Sequence, residues 1–125
     1  MSALEIVRKF TAAAAKRDYD TALPLLTDDV EYHNIPLEPV YGPQAVKDTI
    51  ESLLAMGTDS DWVVHREVES GDTVMNERTD RFLVNDKWID LPVAGVFVIR
   101  DGKIAIWHDY FDLNTIMKQL APPTE

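Results

Sequence analysis

The sequence predicts an α+β fold in which helices pack on one side of a curved antiparallel sheet. Apolar residues recur at helical spacing through much of the first half, whereas most of the second half alternates between apolar and polar residues and is divided by short turns. Helices followed by a run of strands are typical of α+β proteins, whose helices are segregated to one face of the sheet. A twisted sheet that wraps around helices leaves a concave pocket, and such pockets are the usual ligand sites.

Two helices are expected before the first strand. Ser2 and Glu5 match a capping box with Ser2 as the N-cap, and apolar residues then recur at helical spacing. A second, shorter helix is expected over residues 20–26, with Pro24 in or near its first turn, because proline fits the start of a helix.

The rest of the first half should form a strand, a loop and a third helix. Residues 29–34 alternate in polarity as a short strand does, and the prolines and glycine within residues 36–42 indicate a loop. Pro43 fits the first position of a helix that runs to about Met56, and Gly57 fits its C-terminal cap.

The second half should form an antiparallel meander and a final helix. The strands are expected at residues 62–69, 73–84, 87–99 and 103–111. Turn-forming pairs separate them, namely Ser70-Gly71, Asn85-Asp86 and Asp101-Gly102. The last helix should begin at Asp112 and end at Pro122 and Pro123. Its apolar stripe consists of Leu113, Ile116, Met117 and Leu120.

Length, composition and charge narrow the possible functions. The chain has 125 residues, of which 46% are hydrophobic, so we expect one folded domain over residues 1–125. The formal net charge of −10 disfavours nucleic acids and anionic membranes as partners. The absence of cysteine excludes disulfides and thiolate metal sites. No signal-peptide pattern and no apolar stretch of roughly 20 residues is visible, so we expect a cytoplasmic protein.

The strand expected over residues 73–84 carries charges on a face that is otherwise apolar. Side chains alternate along a strand, so Arg78 and Asp80 share a face with Val74 and Val84 at its two ends. Taken alone, Arg78 and Asp80 are slightly better explained as an ordinary ion pair on a solvated face than as part of a functional site. Buried ions cost several kcal/mol unless they are paired, so on a concave apolar face the same pair indicates a functional site.

Two other strands supply further polar side chains. Tyr32 and Asn34 are two residues apart and point the same way, and Asp109 shares the face of Trp107 and Phe111 on the last strand. If the three faces converge, two close carboxylates repel, and we expect one to stay protonated and the other to ionise. The ionised group could then take a proton from a water while the other delivers one to an oxygen leaving group. Such a pair opens a strained ether in one step, without a covalent intermediate or a metal.

The chain resembles the limonene epoxide hydrolase family over nearly its whole length. The matching segments are YHNIPL (32–37), ERTD (77–80), GVF (95–97) and WHDYFD (107–112). The resemblance implies a cone-shaped α+β barrel, in which an antiparallel or mixed sheet curves around a pocket. Ketosteroid isomerase, scytalone dehydratase and nuclear transport factor-like proteins share that fold. The resemblance also implies a homodimer that needs no cofactor and acts on a small apolar epoxide, terpene-like or cyclic, and water.

The resemblance assigns roles to five polar residues. Asp109 would be the general base acting on a water that Tyr32 and Asn34 position, and Asp80 would be the general acid that protonates the epoxide oxygen. Arg78 would bridge the two aspartates. The apolar wall, which would set the range of epoxides converted to vicinal diols, is expected to include Phe82, Leu91, Val93, Trp107, Phe111, Leu53 and Ile116.

Two other functions fit the same fold. One is an isomerase or cyclase of the ketosteroid isomerase type, and the other is a non-catalytic module that binds a small ligand. A glycine-rich phosphate loop and the G-x-S-x-G motif of the larger epoxide hydrolases are both absent from the sequence. His33, His65 and His108 show no metal-ligand spacing, so no metal site is expected.

Overall fold

The fold is an open, six-stranded mixed sheet with helices packed against one face. The computed structural model describes residues 1–55 and 57–120. The helices are α1 Ala3–Ala15, α2 Tyr19–Ala22, α3 Pro43–Leu53 and α4 Leu113–Leu120. The strands are β1 Leu26–Asn34, β2 Val40–Tyr41, β3 Asp59–Ser70, β4 Thr73–Val84, β5 Lys87–Arg100 and β6 Lys103–Tyr110. The expected α+β class is confirmed.

The order of strands in the sheet is β2-β1-β6-β5-β4-β3. Strands β3 to β6 form the expected antiparallel meander. Strand β1 instead pairs in parallel with β6, so that Tyr32 lies opposite Trp107 and Asn34 lies opposite Asp109. The first long strand therefore lies beside the last strand of the chain.

The ends of the first two helices follow from their capping residues. Ser2 Oγ accepts a hydrogen bond from the backbone N–H of Glu5 at 3.1 Å, and the Glu5 carboxylate accepts one from the N–H of Ser2 at 3.4 Å, which confirms the capping box. Helix α2 is shorter than expected. It ends at Ala22, and a 3₁₀ turn with Pro24 in its first positions follows over Leu23–Leu25, because proline lacks the N–H that an α-helix interior needs.

Several boundaries differ from the sequence-based expectation. Helix α3 ends at Leu53 and is capped by Leu54 rather than by Gly57, whose N–H donates to the Leu54 carbonyl at 2.8 Å. Met56, the expected end of α3, lies outside the described residues, as do Pro122 and Pro123. The expected loop contains the two-residue strand β2, which is too short to show a period. The first hairpin turn lies one residue later than expected, at 71–72.

The core lies between α1 and the inner face of the sheet. Phe10 of α1 packs edge-on against Trp107, with ring centroids 5.0 Å apart, and both side chains are fully buried. Burying a large apolar side chain contributes about 1.5–3 kcal/mol, so these contacts hold the helix on the sheet. No helix within the described ranges is both long and apolar enough to cross a membrane.

Candidate functional site

A cavity of about 180 Å³ lies between the inner face of the sheet and helices α3 and α4. Four polar residues reach it from three different strands, namely Tyr32, Asn34, Asp80 and Asp109. Its other lining residues are apolar: Ile50, Leu53, Leu54, Trp62, Phe82, Val84, Leu91, Val93, Phe111, Leu113, Ile116 and Leu120. The cavity therefore combines one polar cluster with an apolar wall, which is the usual composition of a small-molecule site.

Arg78 joins the polar residues of two strands. Its side chain is fully buried, and its Nε donates to Asp80 Oδ1 at 2.7 Å while Nη2 donates to Asp80 Oδ2 at 3.1 Å. Nη2 also donates to Asp109 Oδ2 at 2.5 Å, and Nη1 donates to Asn76 Oδ1 at 3.0 Å. The alternation of β4 puts Asn76, Arg78 and Asp80 together on the inner face. Two carboxylates thus compensate one buried guanidinium, as a buried charge requires.

Asp109 is held through both of its carboxylate oxygens. Oδ2 accepts from Arg78, and Oδ1 accepts from the indole N–H of Trp107 at 2.7 Å. The side chain is only 5% exposed. Charge-assisted bonds of this kind are shorter and stronger than neutral ones, so the carboxylate is fixed in one orientation.

Tyr32 and Asn34 reach the cavity beside Asp109 because β1 runs parallel to β6. The Tyr32 hydroxyl donates to Asn34 Oδ1 at 3.2 Å. Within the described part of the chain, neither the Asn34 Nδ2 nor the Tyr32 phenolic oxygen makes another side-chain hydrogen bond. Burial, together with the nearby Asp109 carboxylate, raises the pKa of Tyr32, so its phenol stays neutral.

The polar cluster contains one group whose charge is fixed, Arg78, and one that can gain or lose a proton, Asp80. Burial is the largest influence on Asp80 and raises its pKa to about 6, against the opposing effect of Arg78 and with a smaller contribution from Asp109. Burial also disfavours the charge on Arg78, but the two aspartates outweigh it and raise the pKa of Arg78. The guanidinium therefore stays charged, whereas Asp80 changes its protonation within about one pH unit of neutrality.

The structure brings together the five polar residues that the sequence singled out: Tyr32, Asn34, Arg78, Asp80 and Asp109. Six of the expected wall residues line the cavity, namely Phe82, Leu91, Val93, Phe111, Leu53 and Ile116. Trp107 does not. It is fully buried behind the polar cluster and stacks on Tyr32 and Phe97, with centroids 4.0 and 5.7 Å away, because its position on β6 faces the core under α1.

The histidines lie away from the cavity. His33 and His108 contact each other edge to face, and the His108 Nε2 lies 2.6 Å from the Glu31 carboxylate. His65 bonds the Thr79 hydroxyl at 2.8 Å. Within residues 1–55 and 57–120, no group of three or more histidine or acidic side chains could hold a metal ion.

Sequence reasoning missed part of the wall and two residues around Arg78. Leu113 and Leu120 lie on the apolar stripe already recognised in the last helix, and Val84 lies on the face of Phe82, so the pattern contained these three. No sequence pattern distinguished the other wall residues, which are Ile50, Leu54 and Trp62. Asn76 shares the face of Arg78, and Gly95 is an isolated glycine inside a strand, which often marks a close approach of another group.

Known proteins resemble this chain in both sequence and fold. A family model described as the limonene-1,2-epoxide hydrolase catalytic domain matches residues 1–122. The curated protein epoxide hydrolase EphG of Mycobacterium tuberculosis is 30% identical over 114 residues, which are 91% of this chain and 76% of that protein. A solved structure of an LEH-like epoxide hydrolase from Mycobacterium tuberculosis has a TM-score of 0.81 at 30% identity and covers 94% of this chain and 88% of that one.

Another solved structure shows likeness of fold alone. It is a protein from Catenulispora acidiphila with a ketosteroid isomerase-like fold, which has a TM-score of 0.83 at 20% identity. The match covers 95% of this chain and 94% of that one. The α+β architecture is therefore that of the ketosteroid isomerase-like fold.

Proposed function

Because the chain belongs to the limonene-1,2-epoxide hydrolase family, we propose that it adds water to a small apolar epoxide and releases a vicinal diol, in one step and without a cofactor. The family and the 30% identical relative support epoxide hydrolase activity in general. One observation carries the mechanism: Asp80 and Asp109 both bond the buried Arg78 and both line an otherwise apolar cavity.

The hydrogen-bonding groups around Asp109 match the needs of one attacking water. The Tyr32 hydroxyl donates to Asn34 Oδ1, so the Asn34 Nδ2 can donate to the water and the phenolic oxygen can accept from it. The second hydrogen of the water points to the Asp109 carboxylate. One lone pair of the water remains for the epoxide carbon. As that carbon–oxygen bond forms, Asp109 takes the proton as general base.

Asp80 supplies the opposite half of the reaction. Its pKa of about 6 keeps the protonated form accessible near neutrality, so it can donate a proton to the epoxide oxygen while the ring carbon–oxygen bond breaks. The leaving oxygen becomes the second hydroxyl of the diol, and no covalent enzyme intermediate forms. Asp80 ends ionised and Asp109 protonated, and exchange of protons with solvent restores the starting state.

The apolar wall supports a compact hydrocarbon substrate. A dry cavity of about 150 Å³ is large enough for benzene, and the cavity here is slightly larger at about 180 Å³. Outside the polar cluster, its lining offers aliphatic and aromatic side chains. A cyclic or terpene-like epoxide with no second polar group buries its carbons there without leaving a polar group unpaired.

The isomerase or cyclase alternative uses fewer of these residues. It needs a base beside a carbonyl and a donor for the enolate oxygen, and Asp109 with Asp80 or Tyr32 would meet that need. An isomerase or cyclase would need neither a water held by Asn34 nor an arginine that bridges the two aspartates. A binding module would need neither carboxylate.

Turnover in oxygen-18 water tests the proposal. The panel holds limonene oxide, cyclohexene oxide, styrene oxide and a β,γ-unsaturated ketone, and products are analysed by mass spectrometry in single-turnover runs. We expect diol labelled from the solvent in the first turnover. Asp80→Asn and Asp109→Asn should each lower the rate by about 10²- to 10⁴-fold. Asp101→Asn is the matched control, since this exposed aspartate lies in a hairpin turn.

Three results would each contradict a different part of the proposal. Isomerised ketone with untouched epoxides would move the protein to the isomerase class. Unlabelled diol in the first turnover would contradict direct attack by water. Wild-type rates in either Asn variant would contradict the role given to that aspartate.

A further inference from the structure

Arg78 has to cross a whole strand to reach Asp109. Arg78 lies on β4 and Asp109 on β6, and β5 runs between them. Gly95 of β5 lies opposite Asn76 on one side and opposite Asp109 on the other, so the three residues form a row across the inner face of the sheet. The guanidinium passes over β5 in this row.

Gly95 provides the space for that passage. A Cβ atom built there would lie 2.5 Å from Arg78 Nη1, 2.7 Å from Asn76 Oδ1 and 3.0 Å from Asp109 Oδ1. Glycine weakens a strand interior because it has no side chain to pack and loses more entropy on folding. Its φ angle is not among the positive ones, so an alanine could adopt the same backbone. The reason for glycine at this position is therefore space.

Asn76 provides an uncharged acceptor. Its Oδ1 accepts from Arg78 Nη1 at 3.0 Å, on the side of the guanidinium away from Asp80, and the residue is only 6% exposed. An aspartate has nearly the same shape but would add a third carboxylate to one cation. That carboxylate would compete for Arg78 and change how protons are shared between Asp80 and Asp109.

We infer that Gly95 and Asn76 are positioning residues, which together let the Arg78 guanidinium cross β5 and fix its rotation so that it bonds both aspartates at once. Neither residue lines the cavity. They act on the reaction through Arg78. The kinetic consequence rests on the proposed hydrolysis, whereas the positioning itself does not.

Nuclear magnetic resonance tests the positioning without any substrate. In the ¹⁵N-labelled protein, a guanidinium bonded on every side rotates slowly, so its Nη hydrogens give separate signals. Arg78→Lys identifies these signals by their loss. We expect separate Arg78 signals in the wild type and their collapse in Gly95→Ala and Asn76→Leu. Gly57→Ala is the matched control, because the nearest atom to an added Cβ there lies 3.4 Å away.

Kinetics test the consequence for catalysis. Displacing a catalytic group by about 1 Å can cost 10²-fold in rate, so Gly95→Ala should lower kcat about 100-fold and change KM little. Asn76→Leu should lower kcat about 10- to 100-fold, the cost of one hydrogen bond to a charged group. Asn76→Asp should move the pH–activity profile to higher pH, because an added anion makes each proton harder to remove. A loss of folded protein would instead lower the rate at every pH and leave the profile in place.

The outcomes separate this inference from the proposed function. Separate Arg78 signals and wild-type kcat in a folded Gly95→Ala variant would overturn the inference. If Gly95→Ala does not fold, the two Asn76 variants decide, and unchanged Arg78 signals together with an unchanged pH profile would overturn it. A wild-type protein inert toward every epoxide would contradict the proposed function, while signals that collapse in the variants would still support the positioning.

Discussion

Trp107 contacts both Asp109 and Tyr32, which stand on different strands of the sheet. Its indole N–H donates to Asp109 Oδ1 at 2.7 Å, and its ring stacks on the Tyr32 ring at a centroid distance of 4.0 Å and an interplanar angle of 11°. One buried side chain thus fixes the proposed base relative to the phenol that is proposed to hold the water. Its role is positional, since it does not line the cavity.

Trp107→Phe should lower kcat by about 10- to 100-fold, which corresponds to the roughly 1.5–3 kcal/mol of a hydrogen bond to a charged group. The phenyl ring keeps part of the stacking on Tyr32 but cannot donate to Asp109. Steady-state kinetics measure the effect, and Trp88→Phe is the control because Trp88 stacks on Arg81 away from the cavity. Equal kcat values for the two variants would show that the N–H is dispensable.

The pH dependence of kcat/KM should be bell-shaped with an optimum on the acid side of neutral. Activity falls on the alkaline side as Asp80, whose pKa is raised to about 6, loses the proton it has to donate. The proposed reaction also needs an ionised base to take a proton from the water, so activity should fall in strong acid as well. Initial rates in constant-ionic-strength buffers measure the profile. A flat profile across the range would contradict the acid–base pair.

Ionisation of Asp80 should lower the free energy of unfolding as the pH rises. Its pKa is raised from 3.8 to about 6 on folding, so the folded protein binds the proton more tightly than the unfolded chain does. The resulting stabilisation is complete below about pH 4 and is lost as the pH passes 6, a change of about 3 kcal/mol at roughly 1.4 kcal/mol per pKa unit. Asp80→Asn should remove this slope and be the more stable protein at pH 7. Urea unfolding at several pH values measures it, and parallel slopes for both proteins would refute it.

Ile116→Phe should exclude the larger epoxides. Ile116 of α4 lines the cavity, so a larger side chain takes up part of its roughly 180 Å³. We expect kcat/KM to fall for limonene oxide and to change much less for cyclohexene oxide. Met117→Phe is the control on the same helix, because Met117 is 59% exposed. A uniform loss with both substrates would mean that Ile116 does not set the size limit.

A homodimer would explain why the outer face of the sheet exposes large apolar side chains. Val68 and Met75 are paired neighbours on β3 and β4 and are 64% and 47% exposed, and Tyr110 of β6 is 48% exposed. Large exposed apolar patches mark interaction sites, and a second copy of the chain would bury side chains such as these. We expect light scattering to give twice the chain mass for the wild type and the single chain mass for Met75→Glu. A monomeric wild type would contradict the dimer.

Strong alternation made the meander and its polar face predictable. Strand β4 has the bounds expected from the sequence, because twelve alternating residues lie between two clear turn signals. Alternation also placed Arg78 and Asp80 on one face. The alternation indicates which face of the sheet a side chain lies on, but not what packs against that face. For this reason Trp107 was expected in the cavity wall, whereas it lies in the core.

The roles of Asn76 and Gly95 depend on strand register, which local patterns do not contain. Both become meaningful only once β4, β5 and β6 are aligned and Arg78 is seen to cross the middle strand. The parallel pairing of β1 with β6 also cannot be predicted from local sequence patterns. Local propensity likewise could not reveal β2, whose two residues pair with β1 only in the folded chain.

The pairing of β1 with β6 also affects how the molecule folds. Each hairpin of the meander closes through contacts near in sequence, whereas Asn34 and Asp109 meet only after nearly the whole meander has been spanned. Loop-closure entropy makes this contact the costlier one to form. A chain with its hairpins formed and β1 detached would carry both carboxyls and the arginine, yet it would lack the phenol and the amide. The proposed activity should therefore appear only once this most non-local contact has formed.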